Sequence, residues 1–264
     1  MIDTGRIVAV TGASSGIGLA AARLFRDRGD KVYCLSRTDP KEPGITFIHT
    51  DVTDEASVNA AFGAIGKAEG RIDVLLSNAG IGVSGAAECT TMQDAKRQLD
   101  VNFFGLHACV RAAVPLMRAH GGTILATSSV AAVFAIPFQA FYSASKFAVN
   151  ALVLALANEL KPFNIRVAAI MPGDVKTGFT GARIKAEDDD NYGQSVEKSV
   201  AVMERDEQNG MGPEMIAKKF VELSLKKHPK VLSTVGLQYK FFCFLGKVLP
   251  IRLQNFIVGK MYIK

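Results

Sequence analysis

Tyr142 and Lys146 stand four residues apart, with Ser129 thirteen residues upstream. Residues at i and i+4 meet on one face of a helix, and the apolar run from Phe147 to Ala157 that follows has the composition of a buried one. A tyrosine is a poor acid or base at neutral pH because its ordinary pKa is about 10. A cation one helical turn away stabilises the phenolate and is expected to bring that value down, which makes proton exchange with an alcohol or a carbonyl feasible. A serine hydroxyl beside the same substrate oxygen can hold it and donate a hydrogen bond as negative charge develops. A bare Tyr-x-x-x-Lys is more often a surface pair on a buried helix, so the elements around it decide which reading applies.

Those elements alternate between strand and helix. Ile7-Val8-Ala9-Val10 is a continuous apolar run, as expected of a parallel strand buried on both faces. It enters Thr11-Gly12-Ala13-Ser14-Ser15-Gly16-Ile17-Gly18 and then the helical composition of Leu19–Phe25. Strand, glycine turn and helix form the setting in which backbone approaches a pyrophosphate at a helix N-terminus. A second strand, Lys31–Leu35, ends at Ser36-Arg37. An acid there would grip the ribose 2′-hydroxyl of NAD, whereas an arginine accommodates a 2′-phosphate; the acid is absent and Arg37 is present. A third strand, Ile45–His49, precedes Asp51, which either accepts from an adenine amine or forms a turn, and Thr53 or Asp54 caps a helix over Glu55–Lys67.

Ile72–Leu76 is a fourth strand that leads into Ser77-Asn78-Ala79-Gly80, small residues suited to backbone packed against a ribose or a neighbouring strand. A helical stretch from about Met92 to Ala119 follows, with Pro115 expected to kink or break it. Asn102 within it lies among apolar residues, and an amide there needs partners: it satisfies a structural bond or tethers a water. Thr123–Ser129 reads as a fifth strand, with Ser129 at the C-terminal edge where open α/β sheets place ligands. Ile165–Met171 is a sixth, ending in Pro172-Gly173-Asp174-Val175-Lys176-Thr177, and Val231–Val235 completes the sheet after a helix from Pro213 to about Lys227. The pattern predicts an α/β, Rossmann-type doubly wound parallel sheet of about seven strands with right-handed crossovers.

At 264 residues, 48% hydrophobic with 24 glycines, the chain fits one large α/β core. The expected organisation is a domain over residues 1–238, with a substrate lid at about 178–212, and a basic apolar extension over 239–264. The acidic run Glu187–Asn191 inside the lid reads as a solvated loop. Four scattered cysteines, Cys34, Cys89, Cys109 and Cys243, suggest buried free thiols and neither a zinc site nor a disulfide framework. No metal is expected. The first strand-like run begins after five residues, which leaves no room for a signal peptide and reads as cytosolic.

Of the 31 basic residues, ten lie from Glu214 onward with only two of the 25 acids. The basic balance therefore belongs to the tail and argues against general nucleic-acid binding. Residues 239–264 carry five basic and no acidic side chains among aromatics and aliphatics, a composition suited to a membrane interface. Lys247, Pro250 and Arg252 interrupt the segment too often for a span. Equally, the tail folds over the substrate cleft or into a subunit interface, Gly246 and Pro250 suiting a turn between two short helices.

Thr11-Gly12-x-x-x-Gly16-Ile17-Gly18, Asn78-Ala79-Gly80, Asn102, Ser129, Tyr142-x-x-x-Lys146 and Pro172-Gly173-x-x-x-Thr177 occur in that order. As a set they closely resemble the short-chain dehydrogenase/reductase family over residues of about 5 to 235. Within the family the chain is similar to 17β-hydroxysteroid dehydrogenases and lipid carbonyl reductases. The resemblance implies Tyr142 as general acid/base, Lys146 as its neighbour and as a ligand of the nicotinamide ribose, Ser129 as substrate anchor, and Asn102 as holder of a proton-relay water. It implies a cofactor set of Gly12, Ser14, Ser15, Gly16, Ile17, Gly18, Arg37, Asp51, Val52, Asn78, Ala79, Gly80, Tyr142, Lys146, Pro172, Gly173, Val175 and Thr177. Asp51 and Val52 would contact adenine, and Thr177 the carboxamide.

Ser77 stands where many members have a second Asn, and Ser15 where many NADP-dependent members have a basic residue, which leaves Arg37 alone to argue for NADP(H). The expected activity is NADP(H)-dependent interconversion of a secondary alcohol and a ketone or aldehyde by a homodimer or homotetramer. Phe134, Ile136, Phe138, Met171, Phe179, Met203 and Met211 are candidate walls for an apolar substrate. A non-catalytic NADP(H)-binding regulator is the alternative, although such proteins usually lose the Tyr, Lys or Ser kept here.

Overall fold

The structure, a computed structural model, describes residues 5–186 and 190–263. Its elements in order are β1 (Ile7–Thr11), α1 (Gly16–Asp27), β2 (Lys31–Ser36), β3 (Ile45–His49), α2 (Glu55–Glu69), β4 (Val74–Ser77), β5 (Val83–Ser84), α3 (Met92–Leu99), α4 (Gly105–Met117) and β6 (Gly122–Thr127). There follow α5 (Ala140–Glu159), β7 (Ile165–Met171), β8 (Ile184–Lys185), α6 (Ser195–Gln208), α7 (Pro213–Leu225), β9 (Leu232–Thr234), α8 (Leu237–Val248) and α9 (Ile251–Tyr262). Seven strands pair in parallel in the order β3-β2-β1-β4-β6-β7-β9, with Val8 opposite both Val32 and Val74 in register.

The central strands β1 and β4 are buried at every position because both faces are covered. Ile7 and Ala9 of β1 enter one core with Val58 and Phe62 of α2, Val110 of α4 and Val149 of α5, while Val8 and Val10 enter the other with Phe25 of α1 and Phe220 of α7. Strand order reverses between β1 and β4, and that switch point opens the crevice in which open α/β sheets bind ligands.

Local caps set the helix starts. Asp54 accepts from Ala56 N at 2.9 Å to begin α2, and Gly70 ends it at φ +71°. The long helix expected over Met92–Ala119 is broken, but not at Pro115, which lies near the end of α4 and removes only one intrahelical bond from its last turn. The break is a π-helical segment, Asp100–Phe104, in which Gly105 N donates to Asp100 O. Such a widened turn is commonly found at functional sites, and this one carries Asn102.

Two further departures concern the lid and the tail. β5 and β8 form a separate two-stranded sheet, too short to be read from alternation. It ties the segment around Ile184 to the chain after β4. Glu187, Asp188 and Asp189 of the acidic run lie outside the described residues. The tail forms two 12-residue helices broken at Leu249-Pro250, with Gly246 inside α8 and not in the turn. Cys34, Cys109 and Cys243 are buried, and Cys89 is only half-buried.

Candidate active site

The turn after β1 is packed backbone on backbone. Gly12 sits at φ +62°, and a Cβ there would lie 2.8 Å from Cα of Ala79; at Gly18 a Cβ would lie 2.3 Å from the Gly12 carbonyl oxygen. Gly18 is therefore a packing position behind the turn, and it does not line the cleft, unlike every other residue of the expected cofactor set. Ser15 precedes α1 without capping it, and the first turn has no acidic side chain. The leading N–H groups of α1 are thus left for an anion, as a pyrophosphate requires. Asn78 ties three strand ends together: its N and that of Ala79 donate to Thr11 Oγ1 at 2.9 and 3.1 Å, its Nδ2 to Gly12 O at 3.2 Å, and Thr127 Oγ1 donates to its Oδ1 at 2.9 Å.

At the end of β2, Arg37 is exposed on the cleft and makes no ion pair among the described residues. Asp51 faces the same cleft, but its Oδ1 accepts from Thr53 N and Oγ1 at 2.9 and 2.7 Å, the turn-forming arrangement. Burial pushes its carboxyl up; the Thr53 bonds and Arg37 together outweigh that and leave it below the ordinary range.

α5 presents Tyr142 and Lys146 to the cleft beside Ser129, which follows β6. Ser129 Oγ accepts from Ala131 N at 3.1 Å, and its hydroxyl stands near enough to Tyr142 to favour the phenolate. Lys146 is buried, its Nζ donating to Thr127 O at 2.8 Å and lying 5.7 Å from the Tyr142 ring centroid. The expected lowering of the tyrosine is not what the structure shows. Burial raises Tyr142 to about 12; the neighbouring Ser129 hydroxyl works against this, while Glu207 and Asp174 add to it. Burial also lowers Lys146 to about 8. In a water-poor cleft desolvation outweighs the neighbouring cation, so the phenol keeps its proton at neutral pH and can donate it.

Lys146 carries a testable cost. Its ammonium is disfavoured in the fold, so the folded state binds fewer protons than the unfolded one between pH about 8 and its ordinary value of 10.5. The penalty is present in full below pH 8 and vanishes above 10.5. Lys146→Met should therefore melt higher than the parent at pH 7, by up to roughly 3 kcal/mol less about 1 kcal/mol for the lost bond to Thr127 O. The gain should disappear by pH 10. A variant less stable than the parent at pH 7 would contradict the assignment.

Asn102 is buried but does not line the cleft. Its Oδ1 accepts from Ile81 N at 2.9 Å, and its Nδ2 donates to Ile81 O and to Ser145 Oγ, both at 3.1 Å. The side chain is thus fully engaged with protein groups, and of the two readings open from sequence the structural one describes it.

The whole cleft, from the glycine turn onward, holds about 1200 Å³, and its part beyond Tyr142 is walled by Phe134, Ile136, Phe179, Met203 and Met211 as expected, and by Phe242, Leu245, Leu249 and Val258 of the tail. Phe138 and Met171 do not line it: Phe138 stacks edge-on with Tyr192, and Met171 is buried in β7. Two groups had no signal in the sequence. Tyr239 of α8 donates to Asp174 Oδ2 at 2.7 Å and accepts from Asp174 N at 3.0 Å, with its ring against Gly173, where a Cβ would lie 2.0 Å from it. This latch holds the tail to the Pro172–Thr177 loop across 65 residues, a separation no local pattern reveals. Arg183 pairs with Glu207, which also bonds Thr180, and so ties the segment around Thr180–Arg183 to α6.

The chain matches the short chain dehydrogenase family over residues 6–188. It is 39% identical over 236 residues to the 3-ketodihydrosphingosine reductase of Bacteroides thetaiotaomicron, covering 88% of each chain. It is 38% identical over 191 residues to mouse 17-beta-hydroxysteroid dehydrogenase type 1, covering 66% of this chain and 55% of that one. Among solved structures, a short-chain dehydrogenase from Streptomyces avermitilis superposes with a TM-score of 0.86 at 27% identity, covering 98% of both chains. An alcohol dehydrogenase from Thermococcus sibiricus complexed with 5-hydroxy-NADP superposes with a TM-score of 0.72 at 26% identity, covering 87% of this chain and 95% of that one. The glycine turn, the Ser129-Tyr142-Lys146 cluster and these likenesses agree, and the chain belongs to the short-chain dehydrogenase/reductase family of oxidoreductases.

Proposed function

We propose that the protein is an NADP(H)-dependent reductase or dehydrogenase that interconverts a secondary alcohol and a ketone or aldehyde on a lipid- or steroid-like substrate. The observation that carries this reading is one continuous cleft with the glycine turn and Arg37 at one end, Ser129, Tyr142 and Lys146 in the middle, and apolar walls beyond. The nicotinamide cofactor supplies or accepts the hydride. Ser129 positions the substrate oxygen, and Tyr142 delivers a proton to it or withdraws one. Lys146, held on Thr127 O, is placed to hold a ribose hydroxyl, and Asn102 sets the turn behind it.

The apolar walls and the likeness to a 3-ketodihydrosphingosine reductase favour a long-chain ketone over a small polar one. Exposed Phe104, Phe147 and Leu154 on the outer faces around α4 and α5 support a homodimer or homotetramer. We place its work in the cytoplasm, at a membrane surface. The test is NADPH consumption with a panel of ketones ranging from short water-soluble ones to 3-ketodihydrosphingosine. Cofactor binding without turnover on any of them would leave a nucleotide-binding regulator as the better description.

Arg37 should set the cofactor preference. Charge-assisted bonds to a 2′-phosphate contribute about 1.5–3 kcal/mol, roughly tenfold to a hundredfold in affinity. Arg37→Ala is expected to erase most of a preference for NADPH over NADH, measured as kcat/KM for each. Equal values for the two cofactors in the parent would remove the basis for NADP(H).

A further inference from the structure

The α8–α9 hairpin is apolar on two sides. Its inner side packs on the catalytic domain: Tyr239 and Cys243 are buried, Gly246 lies so close to the segment after Ser129 that a Cβ there would meet Val133 Cγ1 at 2.4 Å, and Val258 is buried. Its outer side repeats the pattern in the open. On α8, Leu237, Phe241, Phe244 and Val248 follow one another at steps of four, three and four residues and are 84%, 58%, 57% and 55% exposed. On α9, Ile251, Leu253 and Phe256 are exposed as well, whereas Ile257 and Met261 face the cleft. A soluble helix that buries one apolar stripe ordinarily shows water a polar one, and patches of this kind mark interaction sites.

The charge around the patch selects the occupant. Lys240, Lys247, Arg252 and Lys260 are all exposed, and no acidic residue occurs after Glu222. Two copies of this face brought together would stack cation on cation with no counter-charge. An anionic bilayer supplies that counter-charge and an apolar interior for the phenylalanines. Twelve residues per helix span about 18 Å, short of the hydrocarbon core of a bilayer, so the hairpin lies in the interface and does not cross it.

We infer that the outer face of the α8–α9 hairpin docks the protein on an anionic membrane surface. The same two helices wall the substrate half of the cleft through Phe242, Leu245, Leu249 and Val258. A lipid taken from the bilayer therefore passes one pair of helices to reach Tyr142. That route rests on the proposed function; the docking does not.

The test is co-sedimentation of the full chain with vesicles of pure phosphatidylglycerol and of pure phosphatidylcholine, at low and high salt. Sedimentation with phosphatidylglycerol at low salt, released by high salt and absent with phosphatidylcholine, is expected. Two variants, one carrying Lys240→Gln, Lys247→Gln, Arg252→Gln and Lys260→Gln and the other Phe241→Ser, Phe244→Ser and Phe256→Ser, should each lose binding about a hundredfold or more. None of these residues lines the cleft, so turnover of a short water-soluble ketone without vesicles should be unchanged in both. A parent that stays in the supernatant at low salt overturns the inference. So does equal binding by the charge variant, or a serine variant whose only change by light scattering is a smaller oligomer. If vesicle binding holds while no ketone is turned over, the docking stands and the catalytic reading fails.

Discussion

Tyr142→Phe is expected to fold, to bind cofactor with nearly unchanged affinity, and to lose roughly a hundredfold to ten-thousandfold in kcat, the range for removing a positioned general acid. The substitution deletes only the hydroxyl. The ring that remains still packs 5.9 Å from Phe179 between centroids and still lies under the Lys146 ammonium, so the cleft keeps its walls and Lys146 keeps its bond to Thr127 O. Ser129 retains the bond from Ala131 N. With its pKa raised to about 12, the phenol carries its proton throughout the neutral range; the group that titrates near pH 8 is Lys146. For the parent, kcat/KM with cofactor varied should therefore fall above pH about 8, as the ammonium that holds the ribose loses its proton. The limb should be missing in Lys146→Met, whose rate is low at every pH. Wild-type kcat in Tyr142→Phe, with a ketone the parent reduces, would show that the proton comes from elsewhere.

What could be read in advance divides along a physical line. Parallel strands buried on both faces print continuous apolar runs, and glycine turns print where backbone meets backbone, so the seven-stranded sheet and the turn behind Gly12 and Gly18 were legible from residue types alone. Tyr142 and Lys146 were legible because four residues is a helical turn. The pKa of Tyr142 was not, because its sign depends on how much water the fold excludes, and burial is a property of the assembled cleft. The π turn at Asp100–Phe104 was hidden for a related reason: Pro115 is a visible breaker, while a widened turn needs only local helix formers and a tertiary partner for the bond it disturbs. The Asp174–Tyr239 latch joins residues that share no periodicity. The tail could not be assigned to the fold or to a surface because its two helices are apolar on both sides, one side packed on the fold and the other exposed.

Asn102→Ala is expected to be among the most destabilising single changes in the site, although the residue never faces the cleft. It would leave Ile81 N without its side-chain partner and Ser145 Oγ without a donor, and would remove one of the two side-chain donors to Ile81 O, which keeps the bond from Gln98 Nε2 at 2.6 Å. Each bond is worth about 0.5–1.5 kcal/mol net, and stranding a buried group costs about 1–3 kcal/mol, so a loss of roughly 3–5 kcal/mol follows. The consequence reaches the chemistry through position. Ile81 continues the Asn78–Gly80 segment that borders the cleft, a Cβ on Gly80 would lie 3.3 Å from Asn102 Oδ1, and Ser145 is one residue from Lys146. Asn102→Ala should therefore weaken cofactor binding and lower the melting temperature together. Asn102→Asp separates the contributions: its carboxylate still accepts from Ile81 N but cannot donate to Ile81 O or to Ser145, so it should recover part of the stability without recovering the alignment of α5. Melting curves with and without NADPH, read beside kcat for both variants, check this. A variant that melts like the parent while kcat alone collapses would mean that the Asn102 side chain serves the chemistry directly and not through the stability of the turn.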